Sequence, residues 1–97
     1  MDINLTAIIR SKPGNATAMK AFLLELVSES TKEPACLQYD LHQSDDDENM
    51  FIFHEIWQGE EGLNIHNGQP HIKQFGENVA DIIDGPVVIY KTTKLST

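Results

Sequence analysis

Basic residues are scarce in this chain. Lys and Arg number 7 against 15 Asp and Glu, leaving a formal charge of −8. Binding to phosphate backbones or anionic lipid needs clustered Lys and Arg. The few present are scattered, so nucleic acid and membrane are excluded as partners. Cysteine is nearly absent: Cys36 stands alone and cannot form an intrachain disulfide. That fits a reducing compartment. The N-terminus carries no basic segment ahead of an apolar stretch, so no signal peptide is expected and the location expected is cytoplasmic. No apolar run approaches the roughly 18 residues of a membrane span. Gly59, Gly62, Gly68 and Gly76 make no dinucleotide fingerprint, and no P-loop lysine motif is present, so nucleotide cofactors are not expected. The histidines His42, His54, His66 and His71 show no His-x-His or His-x-x-x-His spacing, so no metal is expected either. Asp45-Asp46-Asp47-Glu48 lacks the glycine and closing glutamate of a calcium loop and reads as a solvated hairpin tip.

What the chain does have is a clear periodicity. Its 97 residues suit one domain, spanning 1–97. A domain this small buries only about 60–65% of its unfolded surface. Ile3, Leu5, Ala7 and Ile9 alternate as a strand with one buried face. Pro13-Gly14 ends it and Asn15 suits a helix N-cap. Met19, Phe22, Leu23, Leu26 and Val27 then form an amphipathic helical stripe, which Pro34 stops. Cys36 to Gln43 alternates again, with Leu37, Tyr39 and Leu41 on one face. Met50 to Trp57 is the return strand of a hairpin. A short helix is expected near Glu60 to Ile65. Pro70 opens another, with Ile72, Phe75, Val79, Ile82 and Ile83 as its apolar stripe. Val87 to Leu95 is the last strand.

The order is β-α-β-β-α-β, an α+β ferredoxin-like antiparallel sheet with the helices on one face. The opposite sheet face has no cover from its own chain. Yet Met50, Ile52 and Ile56 point one way while Phe51, Phe53 and Trp57 point the other, and Val87 and Ile89 oppose Val88 and Tyr90. Apolar residues on both faces predict a homodimer joined sheet to sheet.

The segment from Trp57 to His71 places one large ring and two imidazoles around a short helix and the start of the next. His71, in a first helical turn, meets partial positive charge that disfavours imidazolium; His66, at a helix end, protonates more easily. Either can act in proton transfer or simply cap a helix. Trp57 can wall a pocket for a flat ligand or serve as plain core. Phe53 and Phe75 can line the same cavity or fill the core. Glu55 lies between Phe53 and Trp57 on their strand face. It can be a base, an orienter for a histidine, or one half of an ion pair across the dimer.

Glu33-Pro34-Ala35-Cys36 with Tyr39, then Glu55 and Trp57, then His66, Pro70 and His71, resembles the antibiotic biosynthesis monooxygenase family over nearly the whole chain. The resemblance implies a dimeric α+β barrel. It implies that the histidine matching His66 faces the cleft between helices and sheet, as the favoured acid–base group, and that Trp57 lines the site. The family spans cofactor-free oxygenases, haem-degrading enzymes and an isomerase, so function must be argued from the site. Phe53 and Leu63 stand where the anthrone oxygenase carries polar groups, which makes this pocket more apolar. Ala7 stands where the haem-degrading branch uses Asn. The function expected is a cofactor-independent monooxygenase of a small electron-rich phenol or quinol. The alternatives are an isomerase of a small carbonyl compound, with only Lys73 near to anchor a phosphate, and a non-catalytic, small-molecule-binding stress-response dimer.

Overall fold

The computed structural model describes residues 1–97. The elements are β1 (Asp2–Arg10), α1 (Ala16–Ser30), β2 (Cys36–Gln43), β3 (Met50–Gln58), α2 (Gly59–Asn67), α3 (Pro70–Val79) and β4 (Val88–Thr92). The strands form one antiparallel sheet in the order β2-β3-β1-β4. This is the ferredoxin-like α+β arrangement, with α2 as an added short helix. No helix is long and apolar enough to cross a membrane.

Period-two alternation in β1 and β3 builds the core face. Leu5 lies opposite Glu55, Ala7 opposite Phe53 and Ile9 opposite Phe51, and all six are buried. Met19, Leu23 and Leu26 of α1, Leu63 of α2 and Val79 of α3 cover that face. Trp57, Phe51 and Phe53 are almost fully enclosed. Each such side chain contributes about 1.5–3 kcal/mol by leaving water. The other sheet face has no helix over it. There Ile8, Ile52 and Ile56 are half-buried, and Val88 and Tyr90 stay 41% and 55% exposed.

Several local expectations are corrected. A bulge between Cys36 and Gln38 shifts the β2 register, so Leu37 is exposed and does not share a face with Tyr39 and Leu41. α3 ends at Val79, so Ile82 and Ile83 pack on the core from the turn beyond it. The cause is competition for backbone bonds. The Ile82 carbonyl accepts from Lys12 N–H, and Asp84 N–H donates to Arg10, which pins this segment to the end of β1. α1 stops at Ser30, short of Pro34, where the Thr31 hydroxyl donates to the Val27 carbonyl at 2.9 Å. Asn15 holds the N-cap position of α1, but its side chain makes no capping bond. The last strand is shorter than expected, covering only Val88–Thr92.

Candidate active site

β3 passes into α2 without a loop. Gly59, at φ 76°, makes the reversal, a conformation that strains any side-chain-bearing residue. α2 then lies against the turn that holds Glu33, Pro34 and Ala35. Gly62 permits the close approach, since a Cβ there would run into the Cβ of Ala35. Gln58 N–H donates to the Ala35 carbonyl at 2.8 Å and fixes the turn to the end of β3.

That packing turns the Glu33 side chain inward beneath the last turn of α2. Its Oε2 lies 2.6 Å from Nδ1 of His66 and 3.0 Å from Nε2 of His71. An ionised carboxylate can only accept, so Nδ1 of His66 carries the proton and Nε2 is its bare nitrogen. His66 is buried, with its ring 4.1 Å from that of Trp57 and tilted 31° to it. Tyr39 meets His66 edge-on at 5.7 Å. Trp57 Nε1 donates to Glu55 Oε1 at 2.8 Å.

These surroundings push the titrating groups in opposite directions. Burial lowers the pKa of His66, against the pull of Glu33. Burial therefore outweighs the hydrogen bond and charge of Glu33, and His66 does not protonate as easily as its place at a helix end suggests. Burial raises Glu55 to about 7, only partly offset by the Trp57 hydrogen bond. Burial and the nearby carboxylates of Glu33 and Glu55 raise Cys36, which therefore stays a thiol. Tyr39 is likewise pushed up by burial.

A cavity of about 170 Å³ lies between helices and sheet, lined mostly by apolar side chains. His66, Glu55, Phe53 and Phe75 line it, with Tyr39 and Leu63. Trp57 does not; it sits behind His66 as a backing plate. His71 does not either, and opens instead onto a groove between α1 and α3. Glu55 faces the helix side and bonds to Trp57, and no Lys or Arg meets it. Glu33 is the site residue that local sequence reading misses: a lone Glu before Pro carries no signal of burial. Glu33, His66 and His71 are also the one group of metal-ligand side chains, with ligand atoms within 4.8 Å of one another. Two ligands of one tetrahedral zinc lie about 3.3 Å apart. Here one oxygen contacts both rings at hydrogen-bond distances, which describes a bonded chain rather than a chelate.

The family model for antibiotic biosynthesis monooxygenases matches residues 3–78. The chain belongs to that family. A protein of Pseudomonas aeruginosa with a solved crystal structure is 33% identical, with a TM-score of 0.92 over 98% of this chain and 95% of that one. YcnE of Bacillus subtilis, described as a candidate monooxygenase, is 29% identical over 93% of this chain and 95% of its own length. An uncharacterised Synechocystis protein is 28% identical over 92% of this chain, which spans only 62% of that longer protein. The residues that carry the likeness to the antibiotic biosynthesis monooxygenases are far apart in sequence. In the fold Glu33, Tyr39, Glu55, Trp57, His66 and His71 form one continuous set of contacts.

Proposed function

We propose that this protein is a cofactor-independent monooxygenase of a small electron-rich aromatic, of phenol or quinol type, working as a homodimer. The observation that carries the reading is the setting of His66. It lines an apolar cavity, its Nδ1 is tied to Glu33, and its Nε2 is left free to take a proton. Once deprotonated, such a substrate can pass an electron directly to dioxygen, so the protein supplies a dry pocket, a base and orientation. The cavity is comparable in size to the ~150 Å³ apolar cavity that accommodates benzene, which suits one ring with small substituents. Near neutral pH the raised pKa of Glu55 leaves part of it protonated, able to donate a hydrogen bond to a substrate or product oxygen. Phe53 and Phe75 wall the cavity, and Trp57 holds His66 from behind.

The homodimer reading is supported by the uncovered sheet face, where Ile8, Ile52, Ile56, Val88 and Tyr90 cluster. An isomerase of a small carbonyl compound is the second reading. The pairing of a lowered His66 with a raised Glu55 in one cavity favours it, because enolisation needs a base and an acid together.

The test is oxygen uptake with a panel of dihydroxynaphthalenes and quinols, repeated without oxygen on a carbonyl panel. His66→Ala should lower kcat by roughly 10²–10⁴-fold. Turnover with an unchanged rate in His66→Ala removes His66 from the chemistry. Anaerobic turnover of a carbonyl compound alone replaces the oxygenase with the isomerase. Saturable binding without turnover on either panel makes the protein a binding dimer.

A further inference from the structure

We infer that Glu33 and His71 form a proton relay that connects His66, in the inner cavity, with the outer groove between α1 and α3. The inference rests on the reading of His66 as the base. The outer groove, about 290 Å³, is lined by Glu25, Glu29 and His71 among others. Leu26 and Phe75 line both it and the inner cavity, so they form the partition between the two. His66 lines only the inner space and its side chain is 6% exposed; His71 lines only the outer one at 18%. Glu33 crosses the partition with one oxygen that reaches both rings. Its other oxygen, Oε1, is buried with no partner. A buried acceptor left empty is costly. All of the hydrogen bonding of this carboxylate is therefore spent on the two imidazoles.

The proton path balances. Nε2 of His66 takes a proton from the substrate hydroxyl. Nδ1 of His66 gives its proton to Glu33 Oε2. A doubly protonated His71, whose Nε2–H stays on the carboxyl, releases its Nδ1–H to water in the groove. The net result is one proton taken up from the apolar cavity and one released into the outer groove. The reverse passage returns a proton when reduced dioxygen is released as water: Nδ1 of His71 regains its proton from the groove, the carboxyl gives its proton back to Nδ1 of His66, and Nε2 of His66 gives up its own. Few other ionisable groups face this path. Tyr39 and Glu55 approach from the sheet and Cys36 from the start of β2. Glu25 and Glu29 approach from α1, the latter paired with Lys32.

The test uses the full chain labelled with ¹⁵N and no substrate. Imidazole spectra give the tautomer of each ring, and saturation transfer gives the exchange of the His66 Nδ1–H with water. The expected result is a proton on Nδ1 whose exchange falls by roughly a hundredfold in His71→Phe, the low end for loss of a proton-transfer group. Free imidazole, small enough to enter the groove, should restore it. Exchange unchanged in His71→Phe overturns the relay. So does one equivalent of zinc carried through purification on all three side chains. Glu33→Gln, whose amide cannot carry the proton onward, should slow the exchange as His71→Phe does. His71 is only half-buried, so His71→Phe decides the matter alone if Glu33→Gln does not fold. None of these measurements requires turnover. A failed relay is therefore distinguishable from a failed oxygenase assignment, which the uptake assays decide separately.

Discussion

Replacing Glu55 by Gln tests the electrostatics of the cavity. The carboxyl is 6% exposed and its one hydrogen bond comes from Trp57 Nε1. Burial raises its pKa from the ordinary 4.5 to about 7. Between those values the folded protein binds more protons than the unfolded chain, so stability falls as pH rises. The stabilising contribution is fully present below pH 4.5 and is lost as pH passes through about 7. At about 1.4 kcal/mol per pH unit, the whole window corresponds to about 3 kcal/mol. Gln keeps the shape and an oxygen that accepts from the indole N–H, but it does not titrate. The stability of Glu55→Gln relative to wild type should therefore rise by about 3 kcal/mol between pH 4 and about pH 8. His66 acts with the opposite sign. Its pKa is lowered, so its contribution is lost as pH falls below the ordinary histidine range. Both proteins share that contribution, and it drops out of the difference. Urea unfolding followed by circular dichroism makes the measurement, at one protein concentration because the stability of the proposed dimer would depend on it. Parallel pH profiles would refute the reasoning and show that Glu55 ionises as it does in water.

Two further outcomes are expected. Gly62→Ala should destabilise by about 1–3 kcal/mol through the clash with Ala35 and should weaken the His66–Glu33 contact. Ala35→Gly in the same chain should recover most of the loss, and additive effects in that double-mutant cycle would disprove the contact. Ile52→Lys places a charge on the uncovered face, so light scattering should fall from about twice 10.9 kDa toward the monomer mass while the helical signal is kept. An unchanged mass would remove that face from the assembly.

The sheet was legible because alternation is strong and local. Phe51, Phe53 and Trp57 announce one face and Ile52 and Ile56 the other, and the register confirms both. The breaks in pattern were not legible. Leu37 continues the alternation of its strand, and nothing in its side chain declares the bulge that turns it outward. Ile82 and Ile83 continue a helical stripe, but their backbone is claimed by Ser11 and Lys12 just past β1, partners some 70 residues away. The site shows the same limit. His66 and His71 stood out by residue type, whereas Glu33 is 33 residues from one and 38 from the other, and only the fold joins them. Trp57 was expected on the cavity wall because it is large and flat. Sequence gave no means of seeing that His66 would stand between it and the cavity.

That placement of Trp57 gives the molecule an optical gauge. It is the only indole in the chain, so the red edge of the emission comes from one place. The ring lies against His66 and its N–H holds Glu55, so a single fluorophore touches both of the groups whose charge matters. Imidazolium quenches indole emission far more than neutral imidazole does, and losing the carboxyl acceptor shifts the spectrum. A simple cuvette titration, without label or substrate, can therefore follow the protonation of this interior and the arrival of any guest that disturbs it.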